Sequence, residues 1–203
     1  MKKDQLRKEV LDAAKKGDSI KILRGIESGI DVNCREDETD ATPLMLASAK
    51  GHLEIVKLLL EKKANVFHID FYGWTPLFHA IEHGHQNIVE ILMERNSDPN
   101  TKDQDRMTPL MKASLYGHTD IVKLLFKGRV DVNLKDKDGD TALIHAASRG
   151  YLDIAKILVE KNADVNITNK NHNTALTYAS FKNHKEVVKY LESKNTIGKI
   201  PGI

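Results

Sequence analysis

The sequence has few of the features that stabilise secreted or membrane proteins. Its single cysteine, Cys34, cannot form a disulfide within the chain, as is usual for proteins of a reducing cytoplasm. The start, MKKDQLRKEVLDAAKKGD, lacks the apolar core of a signal peptide, and no apolar run approaches the roughly 18 residues of a membrane helix. We therefore expect a cytoplasmic protein, with delivery into a host cell as an effector as the alternative.

A charge excess and catalytic motifs are also missing. The chain has 31 Lys and Arg against 29 Asp and Glu, and this net charge of +2 argues against a dedicated DNA-binding face. It contains no phosphate-binding loop, nucleophile elbow, HExxH segment or paired-cysteine zinc spacing. We therefore predict a protein that is not an enzyme and needs no cofactor or metal, with nucleic-acid binding as a less favoured alternative.

Two segments contain residues that bind metal in other proteins, and both have a simpler interpretation. In HAIEHGH, His79 and His83 are four positions apart, as two zinc ligands on one helix would be. In DKDGD, an EF-hand with Gly139 at its sixth position would have Leu134 and His145 where acidic ligands are required. We predict surface contacts for the two histidines and an ordinary turn for DKDGD.

One pattern recurs along almost the whole chain with a period of 33 residues. It begins with Thr-Pro-Leu or Thr-Ala-Leu and ends at Gly-His or a close variant. Each copy is followed by a segment such as IVKLLLEKKANV, whose apolar residues recur at helical spacing. A degenerate copy, VLDAAKKGDSIKILRGIESGIDVN, comes first and is separated from the next by one additional residue. The complete copies begin at Thr42, Thr75, Thr108, Thr141 and Thr174.

The residues of each copy predict two short helices joined by tight turns. A threonine before the first helix can accept a hydrogen bond from a free backbone N–H, and proline suits the first helical position. One such unit cannot bury its apolar face alone, so successive units are expected to stack into an all-α solenoid. Glycines suited to the left-handed residue that ends the first helix are Gly51, Gly84, Gly117 and Gly150.

This pattern resembles the ankyrin repeat family, whose signature is a 33-residue period with T-P-L-H-x-A and G-H. The resemblance implies one domain, residues 1–203, of stacked helix-turn-helix units with projecting β-turn fingers. We divide it into an N-capping repeat at 5–37, repeats at 38–70, 71–103, 104–136 and 137–169, a C-capping repeat at 170–195 and a frayed tail at 196–203. The family's histidine after T-P-L is replaced throughout, so we expect its usual hydrogen bond to be lost at Met45, Phe78, Met111, Ile144 and Thr177.

Other departures concern the ends of the array and two of its turns. Arg24 and Gly25 in the first copy and Glu192 in the last stand where central copies have leucine, which predicts polar outer faces on the terminal repeats. Arg106 and His172 replace the turn glycine, so we expect an ideal turn to be harder to form at their fingers.

The resemblance also implies that partners bind the concave face formed by the fingers and the exposed edge of the first helices. Carried over by position, this face includes the three aromatic residues of DFYGW. Aromatic and methionine side chains are the types enriched at interface centres. We predict a monomer that binds another protein through a patch comprising Phe71, Tyr72, Trp74, His79, His83, Met107, Lys112, Leu115, Tyr116 and Arg149.

Two further functions remain open from the sequence. The segments DFYGWT and ASLYGH are similar to segments in the ankyrin domain of the oligoadenylate-activated ribonuclease. This similarity implies that a nucleotide or other planar ligand stacks on Trp74 beside Lys102. Asparagines that end the DVN elements match the position that asparaginyl hydroxylases modify in the family, which would make the protein a substrate at Asn33, Asn133 and Asn166.

Overall fold

The computed structural model describes residues 2–195, which fold into twelve short α-helices. No residue in this range is assigned to a β-strand, so the predicted all-α class is confirmed. The predicted frayed tail, residues 196–203, lies outside the described residues. The helices are α1 (Lys2–Lys16), α2 (Ser19–Glu27), α3 (Pro43–Lys50), α4 (Leu53–Glu61), α5 (Pro76–Glu82), α6 (Gln86–Glu94), α7 (Pro109–Tyr116), α8 (Thr119–Leu125), α9 (Ala142–Arg149), α10 (Leu152–Glu160), α11 (Ala175–Phe181) and α12 (Lys185–Asn195).

Each repeat contributes an odd-numbered helix and an even-numbered helix that pack against each other. The chain divides into two compact units, the first ending at Asp98 and the second beginning at Pro99. In the first unit α3 packs against α1 and α5, and in the second α9 packs against α7 and α11. The even-numbered helices follow the same order within each unit. Each unit is therefore a two-layer stack, and the single domain that we predict stays a prediction.

The apolar stripe of the second helix in each repeat fills the core. In α4, for example, Ile55, Val56 and Leu59 are buried, whereas Glu54 and Lys57 face solvent and pair with each other. Such burial of aliphatic side chains is the main favourable contribution to folding. None of the helices between residues 2 and 195 is long and apolar enough to cross a membrane.

The predicted threonine caps are confirmed at all five complete repeats. The hydroxyl of Thr75, for example, accepts the backbone N–H of Phe78 at 3.5 Å, and Pro76 occupies the first helical position. The same arrangement, with proline or alanine after the threonine, begins the other odd-numbered helices of complete repeats. These caps set where each of the helices starts.

The expectation that the hydrogen bond of the family histidine is lost at all five positions is wrong for three of them. The sulfur of Met45 accepts the N–H of Thr42 at 3.4 Å, and the sulfur of Met111 accepts that of Thr108 at 3.3 Å. The hydroxyl of Thr177 accepts the N–H of its own cap residue at 3.3 Å. Thioether sulfur is a weak acceptor, but it is correctly placed to complete the cap.

The terminal and turn departures have different outcomes. Arg24 is exposed as expected, but Gly25 is buried, and a Cβ atom added there would lie 2.1 Å from Cγ2 of Val10. Gly25 therefore permits α2 to approach α1 closely and does not belong to a polar outer face. Arg106 and His172 adopt φ values of 60° and 59°, so both turns keep the left-handed residue despite the missing glycine.

Candidate functional site

The turns that precede α5, α7, α9 and α11, which we call the second to fifth fingers, are each built around one buried carboxylate or amide. In the second finger, Oδ1 of Asp70 accepts the backbone N–H groups of Tyr72 and Trp74, both at 2.9 Å. The other three fingers repeat these two bonds with lengths between 2.8 and 3.0 Å. A buried N–H without an acceptor is costly, so this side chain fixes the path of the turn. The four residues, spaced by 33 positions, are Asp70, Asp103, Asp136 and Asn169.

The remaining polar atom of this buried side chain contacts the residue nine positions later, on the following helix. This second contact braces the finger against that helix, because the turn and the first helical turn then share one buried group. The pairs are Asp70 with His79 (2.8 Å), Asp103 with Lys112 (3.4 Å), Asp136 with His145 (2.9 Å) and Asn169 with Tyr178 (3.1 Å).

The buried finger side chains and their braces involve three residues of the predicted patch. His79 and Lys112 direct their nitrogens at a buried aspartate of their own finger, and Lys112 is only 8% exposed. Met107, whose N–H is held by Asp103, is also 8% exposed. Lys112 and Met107 leave little surface for a partner, so we assign both to the support of the fingers. His79 is half-buried, and its contact with a partner stays a prediction.

Neighbouring fingers of one unit are joined by backbone hydrogen bonds. The N–H of Phe71 donates to the carbonyl of Thr39 at 2.9 Å, and in the second unit the N–H of Lys137 donates to that of Asp105 at 2.9 Å. The first finger has the additional residue expected from the sequence. Its N–H to carbonyl bond runs from Glu36 to Ala41, whereas the corresponding bonds of the other fingers span four positions.

The aromatic side chains of the second finger differ in how far they are exposed. Phe71 and Tyr72 are 57% and 58% exposed, as predicted for contact residues. Trp74 is half-buried, and its ring stacks on Phe78 with 6.3 Å between centroids and 18° between planes. The ring of His79 lies edge-on to the same indole at 5.2 Å. The indole of Trp74 also lies 6.3 Å from the exposed ring of Tyr72, measured between centroids, and Phe78 is buried.

Two exposed apolar residues of the same finger were missed by the sequence reasoning. Phe67 and Ile69 are 62% and 56% exposed, and they alternate with the buried Asp70 and with His68, whose ring bonds to Asp40. The signal in the sequence was the alternation of apolar residues in FHIDF, a segment too short and too close to a turn to be taken for a strand.

Phe67 stands at a position where the other repeats use asparagine to connect neighbouring repeats. Oδ1 of Asn33 accepts the N–H of Asn65 at 2.7 Å, and Oδ1 of Asn133 accepts that of Asp164 at 2.9 Å. A phenylalanine side chain has no acceptor for such a bond. The second finger thus replaces a structural amide with an exposed aromatic ring.

The other predicted contact residues are placed as follows. His83 is exposed in the first unit, where its ring stacks on that of His85 with 6.0 Å between centroids and 7° between planes. In the second unit Leu115 is half-buried, whereas Tyr116 and Arg149 are exposed. These three remain candidates for contact.

Two groups with the chemistry of a reactive or metal site are accounted for by the fold. Ligand atoms of Asp136, Asp140 and His145 lie within 4.8 Å of one another. Asp136 and His145 are hydrogen-bonded to each other, and Oδ1 of Asp140 accepts a hydrogen bond from the side-chain amide of Asn169 at 2.8 Å. The cluster therefore braces the finger. Burial raises the pKa of Asp140, and it raises that of the Cys34 thiol to about 11, so this thiol is protonated at neutral pH.

We expect acid to destabilise the fingers through their buried aspartates. Burial by itself raises the pKa of Asp70, but hydrogen bonds from His79 and the N–H of Trp74 outweigh it and lower the pKa below the ordinary value. The pKa of Asp136 is lowered in the same way. Such a carboxyl stabilises the fold above its unfolded pKa, about 3.9, and the stabilisation is lost as pH falls through the lower folded pKa.

The free energy of unfolding should therefore decrease as pH is lowered below about 4. Urea unfolding of the wild type and the Asp70→Asn variant at a series of pH values measures the contribution of this carboxyl, because all other carboxyl groups are common to both. We expect a shallower decrease for the variant. An identical pH dependence in the two proteins would contradict the assigned role of Asp70.

Comparison with known proteins agrees with this architecture. A family model described as ankyrin repeats, in three copies, matches residues 10–103 and again residues 110–199. A stretch of 52 residues, 26% of the chain, is 46% identical to part of the acyl-CoA-binding domain-containing protein 2 of Arabidopsis thaliana. The matched stretch is 14% of that protein, so the chain covers a small part of this relative's length.

Proposed function

Because the chain belongs to the ankyrin repeat family, whose repeats are generally modules for binding other proteins, we propose that it binds a partner protein through its second finger. The contact region, which we call the second-finger surface, consists of Phe67, Ile69, Phe71 and Tyr72. One observation carries this proposal. Of the seven large apolar side chains that are exposed among the described residues, these four lie within six consecutive positions. Clustered apolar exposure of this kind marks an interaction site, whereas scattered exposure does not.

The finger frame makes this surface suitable for tight binding. Asp70 fixes the backbone on both sides of Tyr72, and the indole of Trp74 lies beside the ring of Tyr72 with 6.3 Å between centroids. Side chains that are already ordered lose little conformational entropy when a partner covers them. Burying each aromatic ring should stabilise a complex by about 1.5–3 kcal/mol.

The composition of the finger also favours a binding role. At Phe67 an amide that could join neighbouring repeats is absent, and the ring that replaces it is exposed to water. Neither feature stabilises the isolated protein. A residue that breaks a local structural rule without a compensating contact is expected where function requires it.

We further propose that the protein has no catalytic activity. Its buried aspartates have structural donors, and its one thiol has a raised pKa. These aspartates thus serve the finger frame, and the thiol is protonated at neutral pH.

We expect replacement of Phe71 and Tyr72 by serine to weaken recognition of the partner strongly. The wild type, the Phe71→Ser/Tyr72→Ser variant and an Ile20→Ser control would be immobilised and exposed to a cell extract, and the captured proteins quantified by mass spectrometry. Ile20 is an exposed apolar residue of α2 in the same unit, so the control matches the loss of apolar surface.

A protein held by the wild type and by the Ile20→Ser control should be reduced at least about tenfold on the finger variant, because a single interface hot spot contributes about 2 kcal/mol. Undiminished capture of the same protein by the finger variant would contradict the proposal. Circular dichroism spectra of all three proteins should agree, since surface substitutions of this kind change stability by about 0.5 kcal/mol or less.

A further inference from the structure

The helices of the second unit separate their charges between the two layers. The odd-numbered helices α7, α9 and α11 contain no aspartate or glutamate. The even-numbered helices carry all of the acidic helical residues of the unit, namely Asp120, Asp153, Glu160, Glu186 and Glu192. One helical layer of this unit is therefore free of negative side chains.

An open groove lies along this layer. Its volume is about 560 Å³, and its walls come from the last turns of α7 and α9, from α11 and from the residues that follow α11. Among its lining residues, none is acidic and two, Arg149 and Lys182, are cationic. The lining residues are Leu115, Ser148, Arg149, Tyr178, Lys182 and His184. We call this the basic groove.

The two cations of the basic groove are not neutralised by a carboxylate of the described residues, whereas several other lysines of the unit are. Neither Arg149 nor Lys182 has a carboxylate within ion-pair distance in the described part of the chain. Elsewhere in the unit, lysines pair with aspartates. Lys123 lies 3.0 Å from Asp120, and Lys137 lies 2.8 Å from Asp105. Charges left without a counterion beside a groove are available to an external anion.

The two cations of the basic groove belong to neighbouring repeats of the second unit. Arg149 and Lys182 are 33 residues apart and therefore occupy the same position in adjacent repeats, whose helices α9 and α11 pack side by side. Beside them, Phe181 is 82% exposed and Tyr116 is also exposed. The Nζ atom of Lys182 lies 5.7 Å from the centre of the Phe181 ring. Two exposed aromatic residues thus adjoin lining residues of the groove in the chain, Phe181 next to Lys182 and Tyr116 next to Leu115.

We propose that the basic groove binds an acidic peptide segment of a partner protein. Carboxylates of the segment pair with Arg149 and Lys182, and its apolar side chains pack on Phe181 and Tyr116. Arginine suits this role because its planar guanidinium can donate two parallel hydrogen bonds to one carboxylate. The groove lies in the second unit, so this inference does not rest on the function of the second-finger surface.

A peptide fits the observed charges better than a nucleic acid does. A nucleic-acid site neutralises a row of phosphates, with about six to ten contacts in well-studied cases. Among its described lining residues, the groove offers only two cations for such contacts. A short acidic segment needs only the two cations that are present.

The proposal can be tested by selecting peptides from a random phage-displayed library on the immobilised full-length protein. Parallel selections would use an Arg149→Glu/Lys182→Glu variant and a Lys156→Glu/Lys189→Glu control. The control makes the same change of net charge on the even-numbered helices α10 and α12. Peptides selected by the wild type and the control should be enriched in glutamate and aspartate, and this enrichment should be lost on the groove variant.

A selected acidic peptide would then be labelled with fluorescein. Its binding to the wild type, the groove variant and the control would be measured by fluorescence anisotropy. We expect the groove variant to bind it at least about tenfold more weakly and the control to bind it as the wild type does. The Phe71→Ser/Tyr72→Ser variant should also bind it normally, which separates this inference from the proposed function. Thermal unfolding of each protein shows that the fold is kept.

Three results would overturn the inference. The first is a wild-type selection without acidic enrichment over the starting library. The second is equal binding of the selected peptide by the groove variant and the wild type. The third is tighter binding of an oligothymidylate than of any selected peptide, which would assign the groove to nucleic acid.

Discussion

Replacing Asp136 with alanine should lower the free energy of unfolding by on the order of 3–5 kcal/mol, as expected when one partner of a buried ionic contact is removed. Oδ1 of Asp136 accepts the N–H groups of Asp138 and Asp140, both at 2.9 Å, and Oδ2 lies 2.9 Å from Nε2 of His145. Alanine would leave all three donors without this acceptor in a buried site. Urea unfolding followed by circular dichroism measures the loss.

The chain itself supplies the matched control for this substitution. At the equivalent position of the last finger, Oδ1 of Asn169 accepts the N–H groups of Asn171 and Asn173, both at 3.0 Å. An asparagine can therefore hold the turn. Asp136→Asn should lose only about 1–2 kcal/mol, because it keeps the two backbone bonds and changes only the contact with His145. Similar losses for the alanine and asparagine variants would contradict the assigned role of Oδ1.

Replacing Gly51 with alanine should destabilise the first unit by about 2–4 kcal/mol, through a strained backbone and a steric clash together. Gly51 has a φ of 74°, and a Cβ atom there would lie 2.6 Å from Cε1 of His85. That ring cannot easily move away, because its Nε2 lies 3.1 Å from the carbonyl oxygen of Ala49. Thermal and urea unfolding would measure the change.

Gly29 separates the two contributions. It has a similar φ of 85°, but a Cβ atom added there would meet nothing within 4 Å. Gly29→Ala should therefore cost only the backbone strain, about 1–2 kcal/mol. If Gly29→Ala destabilises the protein as much as Gly51→Ala does, the close approach of His85 to the end of α3 contributes nothing and our explanation of Gly51 is wrong.

Much of the fold could be predicted from the sequence because each repeat carries its own local signals. Threonine followed by proline marks the start of a helix for reasons that involve only a few neighbouring residues, and the five caps form as expected. The 33-residue period then places equivalent residues in equivalent positions of successive repeats. Helix order and the two-layer packing within each unit follow from these two facts.

The candidate site was harder to predict because exposure depends on contacts that the period does not specify. Lys112 occupies a position that faces a partner in the predicted patch, but its nitrogen turns to the buried Asp103. In the sequence, an acidic or amide residue stands nine positions before a histidine, lysine or tyrosine at each of the second to fifth fingers. Only the distances in the structure show that the two side chains are in contact. The exposure of Phe67 was likewise not predicted from the sequence.

The most direct test of the account measures binding and stability in the same variant. Calorimetric titration would compare the purified partner obtained by capture with the wild type and with the Phe71→Ser/Tyr72→Ser variant, and the melting temperatures of both would be recorded. We predict a Kd weakened by about a hundredfold or more, with a melting temperature changed by only about 2 °C. An unchanged Kd would contradict the claim that the second-finger surface is the binding site.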